Sequence, residues 1–188
     1  MINLFLVDGA SGTGKSDLVE YVRAPYKRCG VVIKATTRKL RDYEEREDIA
    51  LDLSFYSKAE FDRLNLHYMY EYGGESYGFS KRTLDQTLTE FRNVFAIIRS
   101  IPLMKRLKAD YRNCRVVTVY IRSDLRLIED RMRRQGRTQQ EIEFRKTRIA
   151  ETFADYERNT SFFDEIIENS SDKNTYYVLI DNLLAKYS

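Results

Sequence analysis

Short apolar runs rich in β-branched and aromatic residues recur along the chain, and stretches with helical spacing separate most of them. The apolar runs predict strands at 2–7, 31–34, 51–56, 67–72, 94–98, 116–121 and 176–180. Apolar residues three or four positions apart predict helices at 16–23, 58–64, 80–91, 101–109, 123–134 and 139–160. Four of the strands, at 2–7, 31–34, 94–98 and 116–121, alternate with helices. This alternation predicts an α/β fold whose parallel sheet is flanked by helices.

The stretch 35–79 breaks this alternation. It combines two short predicted strands, a small helix and the turn sequence GGES. Because a chain of 188 residues suits one domain, we predict a single domain over 1–188. Its core comprises 1–34 and 80–188, and 35–79 forms an inserted, antiparallel lobe.

Residues 9–16 read GASGTGKS and lie between a predicted strand and a predicted helix. Glycines let the backbone curl so that successive N–H groups point at phosphate oxygens, and the following helix adds a partial positive charge. In this pattern Lys15 reaches the outer phosphates, and the Ser16 hydroxyl holds Mg²⁺. The segment therefore predicts a phosphate-binding loop (P-loop) for a nucleoside triphosphate. Its predicted contacts are Gly9, Ser11, Gly12, Thr13, Gly14, Lys15 and Ser16.

The net charge and the cysteine content narrow the choice of partners. The net charge is +3, whereas a dedicated duplex-DNA binder carries a strong basic excess on one face. Cys29 and Cys114 lack metal-ligand spacing, which is typical of reduced thiols in a cytoplasmic protein. No apolar run reaches the roughly 18 residues that a membrane span requires. We therefore expect a cytoplasmic protein that acts on a small molecule and binds neither nucleic acid nor a membrane.

The order of several further motifs resembles that of the guanylate kinases, over nearly the whole chain. The motifs after the P-loop are KATTRKLRDYE (34–44), DLSFYSKAEFDRL (52–64), ESYGFSKRTL (75–84), RMRRQGRTQQEIEFRKTRI (131–149) and LIDNLL (179–184). The resemblance implies a P-loop NTPase fold and phosphoryl transfer from ATP with Mg²⁺. It also implies that 35–79 binds the acceptor and that 131–148, approximately, forms an arginine-rich lid.

The resemblance assigns residues to both substrates. The residues implied to grip the acceptor phosphate are Thr36, Arg38, Arg41 and Tyr77. Arginine suits this task because its planar guanidinium bonds phosphate bidentately. For the donor, the segment that contains Asn182 is implied to contact the adenine of ATP.

Lid arginines would stabilise the charge that develops during transfer and would exclude water. The candidates are Arg131, Arg134, Arg145 and Arg148, of which Arg131 and Arg145 are the best placed.

The chain departs from the guanylate kinases where that family reads guanine. A carboxylate suits guanine because it accepts both the N1–H and the exocyclic amine. Tyr68 aligns with the glutamate that does this in the family. Ile97 and Arg99 align with two aspartates, one a base contact and the other a group that orders Mg²⁺. These departures predict altered base specificity, unless a gap of one or two residues brings Glu71 into the guanine-reading position.

Asp8, at the end of the first predicted strand, is the candidate replacement acid. Many P-loop kinases of small molecules have an acid at this point. Three roles are open to it: catalytic base, ligand in the metal shell, or structural group that bonds amides of the loop.

Two observations leave the acceptor open. Ribose 1,5-bisphosphokinases resemble guanylate kinases and lack the base-reading acids, and Lys34 and Arg99 would favour such an acceptor with an extra anionic group. An aromatic cluster in the same lobe suits either stacking on a different base or packing within the hairpin. Its members are Tyr68, Tyr70, Tyr72 and Phe79.

Three functions are consistent with these features. The first is an ATP- and Mg²⁺-dependent phosphotransferase that acts on a phosphorylated nucleoside or sugar. The second is a guanylate kinase-like binding module of the scaffold type, although such modules usually lose the P-loop. The third is a nucleotide-triggered regulator, for which 159–175 is the candidate interaction segment.

Overall fold

The computed structural model describes residues 1–40, 52–134, 136–170 and 172–188. Its strands are β1 (Asn3–Gly9), β2 (Cys29–Val31), β3 (Lys34–Thr36), β4 (Leu53–Phe55), β5 (Tyr68–Tyr72), β6 (Glu75–Phe79), β7 (Asn93–Ile97), β8 (Arg115–Arg122) and β9 (Glu165–Glu168). Its α-helices are α1 (Lys15–Arg23), α2 (Lys58–Phe61), α3 (Lys81–Glu90), α4 (Ile101–Asp110), α5 (Leu125–Arg134), α6 (Gln139–Arg158) and α7 (Lys173–Lys186).

Five strands form a parallel sheet in the order β2–β7–β1–β8–β9. Successive residues of the central strand β1 point to opposite faces, and all seven are buried. Leu4 and Leu6 pack with residues of α3 and α4, whereas Phe5 and Val7 pack with residues of α1 and α7. The predicted α/β fold with a helix-flanked parallel sheet is confirmed.

The prediction of a strand at 176–180 is wrong, because these residues belong to α7. The Asp172 carboxylate caps this helix by accepting the N–H groups of Asn174 and Thr175. Tyr176 and Ile180 are buried one helical turn apart. The aromatic and β-branched composition of YYVLI favours a strand, but burial along one helix face and the N-cap outweigh that weak preference.

The hydrophobic pattern does not predict β9, and it merges two other strands. Only one of the four residues of β9, Ile167, is buried, so the strand lacks a continuous apolar signal. The predicted strand at 31–34 spans the end of β2 and the start of β3, which lie in different sheets.

A second sheet has the order β4–β3–β6–β5. The pairs β3–β6 and β5–β6 are antiparallel, as expected for the lobe, but β3 and β4 are parallel. We refer to this unit as the small sheet.

None of the helices in the described ranges combines the length and the apolar composition that a membrane crossing requires. The helix of 20 residues, α6, has only four buried residues, and charged side chains occur along its whole length.

Tyr68, which aligns with the family's guanine-reading glutamate, lies in the hydrophobic core. Its side chain is 1% exposed, and its hydroxyl donates to Asp110 at 3.1 Å. The rings of Tyr68 and Phe79 have centroids 5.3 Å apart. These two members of the aromatic cluster therefore pack inside the protein, whereas Met69, the next residue of β5, is 57% exposed.

We predict that Tyr68→Glu lowers the free energy of unfolding by about 3 kcal/mol or more, because it places a carboxylate in the hydrophobic core and removes the ring that packs on Phe79. Met69→Glu, the same substitution one residue further along β5, should change it by less than about 0.5 kcal/mol. Urea denaturation of both variants measures the difference. Equal losses in the two variants would contradict the buried placement of Tyr68.

Candidate functional site

The P-loop connects β1 to α1 at the carboxyl end of the parallel sheet. Gly14 is the N-cap residue of α1 and has φ of 100°, a left-handed conformation that favours glycine. The Lys15 ammonium donates to the backbone carbonyls of Gly9 and Ala10, both at 2.6 Å. The N-terminal end of α1, which carries positive dipole charge, lines a cavity. This geometry fits a bound triphosphate.

The residues at the loop also fit Mg²⁺ bound with a nucleotide. Ser16 lies in the first turn of α1 and lines the same cavity. Among the described residues, no group of three or more His, Cys, Asp or Glu side chains could hold a metal alone. Because Mg²⁺ in kinases takes phosphate oxygens and water besides a few protein ligands, the Ser16 hydroxyl beside bound phosphates suits the ion.

A buried asparagine outside the P-loop fixes the backbone of the loop. Asn169 directly follows β9 and is 3% exposed. Its side-chain amide donates to the carbonyl of Thr13 at 2.8 Å, and its side-chain oxygen accepts from Arg131 at 2.9 Å. Arg131 also donates to the carbonyl of Gly12 at 3.3 Å. We call these two side chains the Asn169–Arg131 clamp.

The structure brings Arg131 to the P-loop but does not bring Asn182 there. Asn182 is exposed and lies three turns into α7. The N-terminal part of α7 lines the cavity instead, through Asp172, Lys173 and Tyr176. The predicted nucleotide contact at Asn182 is therefore not among the residues that line this cavity, whereas Asn169, which sequence reasoning missed, lies against the P-loop.

An ion pair of Asp8 and Arg99 lies where β1 meets the P-loop. The Asp8 carboxylate is 3.2 Å from Arg99 and accepts the N–H of Gly9 at 2.7 Å. Burial raises the pKa of Asp8, and the Arg99 guanidinium opposes that rise. Arg99 also donates to the carbonyl of Gly9 and, at 2.6 Å, to the hydroxyl of Thr152 on α6. Its guanidinium carbon lies 4.3 Å from the centroid of the Tyr72 ring on β5, so it connects the P-loop, α6 and the small sheet.

Of the residues expected to grip the acceptor phosphate, Arg38 and Tyr77 line the cavity. Thr36 is buried, and its hydroxyl accepts the backbone N–H of Arg38 at 3.1 Å. Thr36 thus shapes the turn that presents Arg38. Arg41 lies outside the described residues.

Two of the predicted lid arginines extend from α6 toward the site, Arg145 to the P-loop and Arg148 to the turn between β5 and β6. Thr138 and Glu141 form a reciprocal capping box that begins this helix. Arg145 donates to the Ser11 hydroxyl at 3.4 Å. Arg148 lies 4.8 Å above the Phe144 ring and, with Arg145, lines a smaller cavity of about 270 Å³.

A cavity of about 480 Å³ joins the P-loop to the small sheet. Cationic side chains reach it from both sides. They are Lys15, Lys34, Arg38, Arg99, Arg131, Arg134, Arg137 and Lys173. An arrangement of this kind can hold two anionic groups close together and neutralise the charge between them.

These features define a P-loop protein of the α/β class. A family model described as guanylate kinase matches residues 1–186. The chain therefore belongs to the guanylate kinase family.

Comparison with solved structures finds a similarity to guanylate kinase from Anaplasma phagocytophilum, with a TM-score of 0.66 and 19% sequence identity. The match covers 99% of this chain and 85% of that chain. At this identity the likeness shows the shared fold alone. A search of curated proteins gives no significant match.

We predict that Gly14→Ala disrupts the Asn169–Arg131 clamp. A methyl group at Gly14 would overlap the side-chain nitrogen of Asn169 and lie 3.3 Å from the Tyr176 ring. Gly74→Ala is the matched control, since Gly74 has φ of 81° but no atom within 4 Å of the added carbon.

The control should lose about 1–2 kcal/mol of unfolding free energy from backbone strain alone. Gly14→Ala should lose roughly 1–3 kcal/mol more, because buried hydrogen-bonding groups lose their partners. Urea denaturation of the two variants gives both values. Indistinguishable losses would show that Asn169 does not restrain the loop.

Proposed function

We propose that the protein is an ATP- and Mg²⁺-dependent phosphotransferase whose acceptor is a phosphorylated small molecule, as in nucleoside monophosphate kinases, but with altered base specificity. The observation that carries this proposal is the cavity shared by the P-loop and the small sheet. Phosphoryl transfer requires two anionic groups in line, in a site that neutralises the charge spread between them. The cavity offers hydrogen-bond donors for a triphosphate on one side and for an acceptor phosphate on the other.

On the donor side, the N–H groups of the loop and Lys15 would bind the triphosphate. Arg131 and Arg145 already contact the loop from α5 and α6, so a small movement would bring them to the transferring group. Mg²⁺, when bound by Ser16 and phosphate oxygens, supplies further neutralisation of negative charge.

On the acceptor side, Arg38 and Tyr77 would bind the phosphate. Arg38 offers the paired donors that a phosphate group accepts. The hydroxyl of Tyr77 offers one neutral hydrogen bond in addition.

We propose a structural role for Asp8. It is 7% exposed, and its carboxylate already binds the Arg99 guanidinium and the N–H of Gly9. A catalytic base needs access to the acceptor. Through its two contacts, Asp8 instead positions Arg99 and the start of the loop.

GMP is a poor fit to the acceptor side. Ile97 lines the cavity and offers no hydrogen bond, and Arg99 offers donors only. Each unpaired guanine N–H would cost about 1–3 kcal/mol. Glu71, the alternative carboxylate, is exposed. It lies on the opposite face of β5 from Tyr70 and Tyr72, which line the cavity.

ADP release from Mg-ATP tests the proposal, measured with GMP, dGMP, AMP, CMP, UMP, dTMP and ribose 1,5-bisphosphate as acceptors. We expect turnover that depends on one class of acceptor and that is abolished in Lys15→Ala, because the outer phosphates lose their cationic partner. Acceptor-independent ADP release would indicate a hydrolase or a regulator. Transfer that survives in Lys15→Ala would contradict the proposed site.

A second test concerns Arg131. Arg131→Ala should lower kcat by about 100-fold, the usual cost of losing one charge-stabilising donor. Arg126→Ala removes an exposed arginine from the same helix and should leave kcat unchanged. Similar kinetics for the two variants would exclude Arg131 from the catalytic machinery.

A further inference from the structure

A buried ion pair lies on the acceptor side of the cavity, between β3 and the residue that precedes β4. The Lys34 ammonium is 2.5 Å from the Asp52 carboxylate. The Lys34 side chain is 2% exposed and that of Asp52 is 16% exposed. Both residues line the cavity. The backbone also fixes their relation, since the N–H of Lys34 donates to the carbonyl of Asp52 at 2.9 Å.

This pair retains hydrogen-bonding capacity. An ammonium has three donors, and a carboxylate has two acceptor oxygens. Within the described residues, the ammonium makes one hydrogen bond, to one oxygen of Asp52. Two ammonium N–H groups and one carboxylate oxygen therefore make no hydrogen bond within the described residues, and both side chains line the cavity.

The surroundings of the pair are aromatic and apolar. The rings of Tyr70 and Tyr77 stack with centroids 5.2 Å apart and planes 12° from parallel. Leu53 and Ile97 complete the neighbouring wall. Flat, apolar walls with a few placed polar groups are typical of sites for planar ring systems.

Two of the cations on this side of the cavity are paired with acids. Lys34 is paired with Asp52, and Arg99 is paired with Asp8 at 3.2 Å. Although the sequence shows two extra cations here, each is compensated by an acid. The part of the cavity at the Lys34–Asp52 and Arg99–Asp8 pairs is therefore suited to a neutral group with hydrogen-bonding edges and not to a second phosphate.

We propose that Lys34 and Asp52 determine acceptor specificity by reading the edge of a nucleobase. Asp52 accepts one N–H of the base, and Lys34 donates to the adjacent ring nitrogen or carbonyl oxygen. Adenine places one donor group beside one acceptor, whereas cytosine, uracil and thymine each place one donor group next to two acceptors, the second of which can take a further N–H of the Lys34 ammonium. Guanine places two donor groups beside one acceptor, so one of them would stay unpaired at this pair. The inference rests on the proposed acceptor site and specifies its ligand as a nucleoside monophosphate other than GMP.

Calorimetric binding to the full chain tests the inference independently of catalysis. The probes are AMP, CMP, UMP, dTMP and GMP, with ribose 5-phosphate as the ligand that lacks a base. The variant combines Lys34→Met with Asp52→Asn, because removing both charges together avoids leaving one buried and unpaired. Its matched control combines Lys58→Met with Asp62→Asn, at an exposed ion pair in and just after α2.

We expect the wild-type chain to bind at least one of AMP, CMP, UMP and dTMP about tenfold or more tightly than ribose 5-phosphate and GMP. The Lys34–Asp52 variant should lose that preference while its affinities for ribose 5-phosphate and ADP stay unchanged. The Lys58–Asp62 control should keep the preference. Unchanged ADP binding shows that the variant is folded.

Three results would overturn the inference: an unaltered preference in the Lys34–Asp52 variant, tightest binding of GMP, or no preference of the wild type for any nucleotide over ribose 5-phosphate. Selective binding without transfer from ATP would contradict the kinase proposal and still support the base-reading role. The two proposals can therefore fail separately.

Discussion

The parallel pairing of β1 between β7 and β8 is the constraint on which the whole site depends. Val7 lies opposite Ile97 on one side and Val119 on the other. The carboxyl ends of three adjacent strands therefore lie together, at the end of the sheet where ligands of open α/β folds bind. The P-loop and Arg99 follow from two of these strands. Because β1 is buried on both faces, a shift in its register would displace the loop and the hydrophobic core together.

The parts of the fold with local signals follow from the sequence. Strands β1, β7 and β8 of the parallel sheet have apolar runs, and the P-loop has glycines, lysine and serine at fixed spacing. These features depend on neighbours in the chain, so pattern alone predicts them. The position of Arg131 at the loop also agrees with the motif order, because a short helix fixes its distance from β8.

The parts that sequence reasoning misplaced depend on contacts between distant segments. Asn169 reaches Thr13, which is 156 positions away, and β9, which positions it, has only one buried residue. Because the pattern does not predict that strand, sequence reasoning assigned the contact to Asn182 in the motif LIDNLL, which lies on an exposed helix face. Tyr68 shows the same difficulty, since whether a residue of β5 faces the cavity or packs in the core depends on how α4 covers the hairpin, as the Tyr68–Asp110 hydrogen bond shows.

Charge is the property for which composition misleads most. Lys34 and Arg99 suggest an anionic acceptor when counted along the chain, yet each has a carboxylate at hydrogen-bonding or ion-pair distance. A buried cation is stable only with such a partner, so a substitution to lysine or arginine inside a small cavity requires an acid close by. What a ligand encounters is then a dipole with donor and acceptor groups, and not a net charge. In the kinase proposed above, such pairs would leave the phosphate-binding groups in place and change the edge that the acceptor must present.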